Sequence, residues 1–287
     1  MLPTPQIDIT GLHKLLKPAR MTQIVDIGAN PINPTPYDAL IRHEVARVWG
    51  FEPQASAYEQ LLEMQTPYMS FLPYAIGDGA IHELRVCKGS GFTSLLEPNK
   101  AFCNYTNHFK IKMQVQERIP MQTKRLDDVA ELPDIDLVKI DIQGGEASAF
   151  RNASSTLTEA VAVISEVAFI PLYEDQPLLD TQMRLMRENG FEFHKFLHAK
   201  GVPLRGPLQK RIGVEPLRNQ LTDADAVFLR DVSPDTTLSS EALKHLVLLA
   251  VGAFDSLDVC LRCLDILLVR KVVDAASVDK WVDALKV

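Results

Sequence analysis

Between Gln23 and Asp231, short β-branched or apolar runs alternate with longer amphipathic stretches, the pattern of a parallel sheet covered by helices on both faces. The runs predict strands near 23–27, 47–51, 70–76, 136–141, 161–167, 191–196 and 225–230. Ala160 to Val167 (AVAVISEV) is almost continuously apolar, as a parallel strand buried on both faces should be. The section 80–125 breaks the alternation with HELRVCKG, a Ser/Gly stretch and VQERIPMQTKRL. It predicts hairpin strands and loops inserted over one end of the sheet.

After Asp231 the texture changes. VSPDTTLSSE reads as a linker in which Ser239 or Ser240 caps the next helix, and 241–287 reads as three helical segments with apolar residues three and four apart. The chain thus divides into an N-terminal segment over 1–22, an α/β domain over 23–232 and a helical C-terminal appendage over 233–287. The apolar set of the appendage, from Leu243 to Leu268, is broader than one stripe. Part of it must pack on the α/β domain or on a second copy; the tail is expected to dock on the sheet domain and to form part of a homodimer interface. Truncation near Pro234 is expected to expose apolar surface and to leave the crevice at the strand ends formed.

Charge narrows the partners. Thirty Lys and Arg against 37 Asp and Glu leave a net charge of −7 in 287 residues, which argues against capture of nucleic acid or of an anionic membrane. The longest apolar run, Leu246 to Phe254, is interrupted only by Gly252 and falls short of the roughly 20 residues that a spanning helix needs. The first 20 residues lack the continuous apolar stretch of a secretory leader, so a cytoplasmic location is expected. Four cysteines, at 87, 103, 260 and 263, are too few for a disulfide scaffold. Cys260 and Cys263 share one face of an apolar helix without a second ligand pair, so they read as core residues, and no metal site is expected.

Candidate chemistry collects at strand ends. IVDIGAN, 24–30, ends the first strand in Asp26, Gly28 and Asn30, at the place where open α/β sheets bind nucleotide-like ligands. The dinucleotide fingerprint G-x-G-x-x-G is absent, and an acidic strand end repels a phosphate, which disfavours a nicotinamide oxidoreductase. Glu52, in VWGFEPQ, ends the second strand, where a carboxylate can accept hydrogen bonds from both ribose hydroxyls. Asp78, in YAIGDG, follows the third strand and is a candidate for an adenine amino group. The fourth, in DIDLVKIDIQGGE, ends in Asp141 and runs into Gln143 and Glu146. Glu166 lies inside the apolar fifth strand, where a carboxylate must be paired or useful. His194, among Phe191, Phe193 and Phe196, reads as a structural histidine; Tyr173 is either a wall of the acceptor pocket or a loop anchor.

IVDIGAN, GFEPQ, AIGD, SGFTSLLEP, TKRLDDV, LVKIDIQGGE and ADAVFLRD, in this order and spacing, resemble the FkbM family of S-adenosylmethionine-dependent methyltransferases over about 23–231. The resemblance implies a Rossmann-like class I methyltransferase fold, a seven-stranded, mostly parallel sheet of order 3-2-1-4-5-7-6 with an antiparallel last strand. It also implies S-adenosylmethionine as cofactor, held by Asp26, Gly28 and Asn30, with Glu52 on the ribose and Asp78 on the adenine. Two features depart from the family pattern. PINPTPY at 31–37 stands where relatives have a second glycine and a Ser/Thr-containing helix start, and Gln143 stands where they usually have Glu.

Methyl transfer to a hydroxyl needs alignment of nucleophile and methyl, and a base within hydrogen-bond reach. Asp141, Glu146 and Glu166 are the candidate catalytic residues. As the family's activities imply, the expected reaction is O-methylation of a sugar, glycan or secondary-metabolite hydroxyl in bacterial-type biosynthesis. An N-methyltransferase and a catalytically inactive S-adenosylmethionine-binding module are the alternatives.

Overall fold

Every residue of Thr22–Ile27 is buried, and this run forms the first strand at the middle of the structure. In the computed structural model, which describes residues 7–30, 34–106, 109–204, 206–211 and 218–285, the chain begins α1 (Ile9–Leu16), β1 (Thr22–Ile27), α2 (Asp38–Arg42), β2 (Ala46–Phe51), α3 (Ala55–Glu63), β3 (Met69–Leu72) and β4 (Ala75–Ile76). It continues through β5 (Ile81–Cys87), α4 (Lys100–Thr106), β6 (Val115–Lys124), β7 (Leu137–Ile140), α5 (Glu146–Arg151), α6 (Ser154–Glu159), β8 (Ala162–Ala168) and α7 (Leu179–Glu188). β9 (Phe191–Val202), α8 (Pro207–Arg211), β10 (Gln220–Arg230), α9 (Ser240–Gly252), α10 (Leu257–Val269) and α11 (Ala275–Asp283) complete it.

Seven strands form one sheet in the order β3-β2-β1-β7-β8-β10-β9, parallel except for β10, which is antiparallel to both β8 and β9. Because β4, β5 and β6 form a second sheet, the large sheet counted alone has the order 3-2-1-4-5-7-6. This is the Rossmann-like α/β arrangement that the resemblance implies. The expected strand at 70–76 is instead two strands in two sheets, broken at Pro73, which has no N–H to continue a ladder. The inserted section is built as expected on an antiparallel pair, β5 with β6.

Alternation along the strands gives the large sheet two apolar faces. Ile24, Val48, Leu137, Ile164 and Val227 form one, under α1, α2, α9 and α10; Val25, Val138, Val163 and Phe228 form the other, under α5, α6 and α7. Ser239 caps α9, its side chain accepting from the Ala242 N–H. α9 has no polar stripe over Leu246–Ala250, all five of which are fully buried. It is enclosed by α10 outside and by the sheet, α1 and α2 inside, as a helix apolar all round must be. Cys260 and Cys263 are buried in the same core, where burial pushes both thiols far up. Among the described residues no helix is long and apolar enough to cross a membrane.

The last three helices therefore share one core with the sheet. A chain ending at Pro234 should lose cooperative unfolding and bind a hydrophobic dye, measured by urea titration and dye fluorescence, rather than keep its crevice. Leu246→Ala should cost about 2–5 kcal/mol in the same titration.

Candidate active site

The carboxyl ends of β1 and β7 meet in a backbone contact. Asp141 donates its N–H to the Ile27 carbonyl at 2.9 Å. Gly28 has a φ of +83°, and a Cβ there would lie 2.0 Å from the Asp141 carbonyl oxygen. Glycine is thus required by the neighbouring strand end, before any ligand is considered. Two cavities open on either side of this contact, and Gly28, Asn30 and Asp141 line both.

The first cavity is a crevice of about 730 Å³, counting its open mouth. Phe51, Glu52 and Gln54 form one wall, Tyr74, Ala75 and Ile76 another, and the inserted section from Ser90 to Leu95 supplies a roof. Among the described residues no Lys, Arg or His lines it, whereas two carboxylates, Glu52 and Asp141, do. Glu52 is buried and accepts a hydrogen bond from the Gln54 N–H at 2.7 Å. Burial raises its pKa to about 7, against the opposing effect of that hydrogen bond.

Beyond Asp141 the three candidate bases come together, with carboxylate oxygens of Asp141, Glu146 and Glu166 within 4.8 Å of one another. Hydrogen-bond donors hold them. Gln143 Nε2 donates to Asp141 Oδ1 at 2.8 Å and to Glu166 Oε2 at 2.9 Å. Glu146 Oε1 accepts from the Ile142 and Gly144 N–H groups, both at 3.0 Å. Burial, and then the charge of Asp141, hold Glu166 well above the usual carboxylate range. Burial also raises Glu146, to about 7. Of the three, Asp141 alone lines the cavities.

The second cavity, about 860 Å³ with its mouth, is walled by Pro34, Pro36, Ile164 and Leu197 and carries Thr35, Lys139, Asp141 and Asp225. Lys139 sits in register with Asp26 across the β1–β7 pair, and its Nζ lies 2.8 Å from Asp26 Oδ1. Tyr37, wholly buried, donates its hydroxyl to the other Asp26 oxygen.

Asp26 is therefore turned from the first crevice and occupied by two protein partners, whereas Gly28, Asn30 and Glu52 line it. Asp78 does not line it either. The turn after β4 sends the chain back into β5, and Asp78 caps that turn through the Ala80 N–H at 2.9 Å and meets His82 at 2.8 Å. These partners lower its pKa to about 2. Of PINPTPY, residues 31–33 lie outside the described residues, and Tyr37 has the role just given. His194 is structural, its Nε2 within 2.8 Å of Ser256 Oγ. Tyr173 is a buried anchor, with its hydroxyl 3.0 Å from Gln143 Oε1 and 3.1 Å from the Phe92 carbonyl oxygen. Lys139, Tyr37 and Asp225 escaped the sequence reading. A lysine inside the apolar strand LVKI carries the same signal that singled out Glu166.

A doubly faced, mostly parallel sheet of this order, with carboxylates at successive strand ends, defines a Rossmann-like α/β protein. Residues 26–193, more than half of the chain, match the profile of the methyltransferase FkbM domain, and the chain belongs to that family. No curated protein sequence matches it. Similar solved structures include precorrin-6y C5,15-methyltransferase from Geobacter metallireducens GS-15, at 11% identity and TM-score 0.37, covering 77% of this chain and 86% of that one. Magnesium protoporphyrin IX methyltransferase from Synechocystis PCC 6803 with bound SAH matches at 10% identity and TM-score 0.36, covering 78% of this chain and 80% of that one. A protein in the NADB-Rossmann superfamily from Streptococcus agalactiae, at 13% identity and TM-score 0.37, covers 97% of this chain and 82% of its own.

The raised Glu52 gives a pH prediction. Its folded pKa of about 7 exceeds the ordinary 4.5, so the folded state binds the extra proton between those values and stability falls as pH rises through that window. Glu52→Gln should remove up to about 3 kcal/mol of that fall, read from denaturant titrations at pH 4.5 and 8.

Proposed function

We propose that this protein transfers a methyl group from S-adenosylmethionine to a hydroxyl of a small-molecule or glycan acceptor, with Asp141 as general base. The observation that carries the reading is the placement of Asp141 on both cavities, at the Gly28 contact where they meet. The chemistry of the first crevice fits this cofactor. Glu52 offers a carboxylate for ribose hydroxyls, the walls from Phe51 and Tyr74 to Ile76 are apolar enough for a base, and the acidic, Lys- and Arg-free lining suits a sulfonium and repels a pyrophosphate. When bound, S-adenosylmethionine supplies an electrophilic methyl group on a positively charged sulfur.

The chain's own residues then have three tasks. Gly28 and Asn30 form the ledge between the cavities and hold the two reactants in line, which can contribute roughly 7–11 kcal/mol at best. Asp141 accepts the hydroxyl proton as the oxygen attacks. Glu166, which accepts from Gln143 Nε2 and lines neither cavity, and Glu146, committed to two backbone N–H groups, support the loop rather than take that proton. A lysine neutralised by Asp26 lines the acceptor side, so the acceptor meets no free ammonium from Lys139.

Calorimetry should show binding of S-adenosylmethionine and S-adenosylhomocysteine and none of NAD; the reverse order would defeat the cofactor assignment. Glu52→Ala should weaken S-adenosylhomocysteine binding by about 1–3 kcal/mol. Asp141→Asn should keep that affinity and abolish methyl transfer to hydroxyl acceptors, corrected for cofactor hydrolysis. Equal loss of affinity and turnover would move Asp141 into the cofactor site, unchanged turnover would remove it as the base, and a wild-type protein inactive on every hydroxyl acceptor would leave the N-methyltransferase and inactive-module readings.

A further inference from the structure

Gln143 is held in a backbone conformation that its side chain disfavours. Its φ is +59°, in the left-handed region where glycine is the usual residue and where a non-glycine residue needs surrounding contacts to hold it. Those contacts use both ends of the side-chain amide and the backbone carbonyl. Its Nε2 bridges Asp141 Oδ1 and Glu166 Oε2, its Oε1 meets the Tyr173 hydroxyl, and its carbonyl oxygen accepts from Ser94 Oγ at 2.7 Å. Ser94 belongs to the roof of the crevice, and the single Tyr173 O–H is shared between Gln143 Oε1 and the Phe92 carbonyl oxygen of the roof. The Gln143 side chain thus joins Asp141, Glu166 and Tyr173, and the backbone carbonyl ties the same residue to the roof at Ser94.

We propose that Gln143 is a positioning residue that couples the roof, residues 90–95, to the Asp141 carboxylate: it fixes Asp141 toward the two cavities only while Ser94 and Tyr173 hold the roof down. The coupling stands on hydrogen-bond geometry, and its consequence for catalysis rests on the methyltransferase reading above. An amide suits the bridge. It presents two N–H groups to two carboxylates and an acceptor to a tyrosine without adding charge. Around Asp141 stand Glu146 from α5, Glu166 from β8, Asp225 from β10 and Lys139 from its own strand, so a further carboxylate at 143 would be poorly tolerated.

Gln143→Gly removes the side-chain bonds to Asp141, Glu166 and Tyr173 while leaving the carbonyl that Ser94 uses; without those bonds the glycine backbone is free to leave the left-handed conformation, and the Ser94 bond goes with it. Hydrogen exchange on the ligand-free full chain should show peptides across 90–95 opening at least about tenfold faster than in the wild type, with β1 and α9 unchanged. Equal exchange across 90–95 in the two proteins overturns the coupling. If Gln143→Gly accelerates exchange everywhere, Tyr173→Phe, which deletes one hydroxyl, decides: a faster roof alone supports the proposal and an unchanged roof overturns it. In methyl transfer, Gln143→Gly should lower kcat on the order of 100-fold, the scale of a misplaced reacting group, and move the acid limb of its pH profile to higher pH. A loosened roof with kcat and pH profile intact refutes the positioning of Asp141. Failure of the wild-type protein to bind S-adenosylhomocysteine in calorimetry defeats the methyltransferase reading instead, and leaves the exchange result standing.

Discussion

The candidate site is organised by one backbone contact, the packing of the Gly28 turn against the Asp141 carbonyl. Two parallel strands in register bring their ends to the same height, and only a residue without a Cβ lets the turns touch. That touch places a carboxylate on the ledge between two cavities. A larger residue would push the β7 end outward, away from the Ile27 carbonyl that fixes it, and the cavities would no longer share a wall. The site thus inherits its geometry from the sheet rather than from the loops above it.

Charge is arranged with the same economy. Asp26 and Lys139 neutralise one another across adjacent strands, and Tyr37 takes the remaining carboxylate oxygen. A buried pair of this kind adds little net stability, since desolvation offsets most of its attraction. Its effect here is on the cavity, which sees a spent cation and keeps the carboxylates Asp141 and Asp225 as its acidic groups. On the far side of the ledge, Gln143 performs the corresponding service for Asp141 and Glu166 without any charge at all.

The sheet was legible because buried parallel strands announce themselves as apolar runs, and the strand-end motifs stood in family order. Glu52, Gly28, Asn30 and the three carboxylates around Asp141 come together where strand ends should converge. The surroundings of Asp78 were not legible, because a carboxylate after a strand looks the same whether it faces a crevice or caps its own turn, and only the path into β5 separates the two. The partner of Asp26 was hidden for a related reason: it sits on a strand 113 residues away, and a register match across a parallel pair leaves no local mark. The tail was legible as helices that dock on the sheet domain, because its apolar breadth showed that more than one face must be covered; that α9 is enclosed on all sides, between α10 and the sheet, is shown only by the packing.

The enclosure of α9 also bears on the order in which the chain can fold. β1 pairs with β7 across 113 residues and meets α9 only after most of the sequence exists; Thr22 meets His245 across 223 residues. Loop-closure entropy must be met before such contacts return any stability, which makes folding slow. During synthesis α1 and α2 can cover part of this face as soon as its strands form, but the part under α9 and α10 stays open until those helices follow β10. In the interval between completion of the sheet and docking of α9, association of that apolar patch with other chains competes with folding.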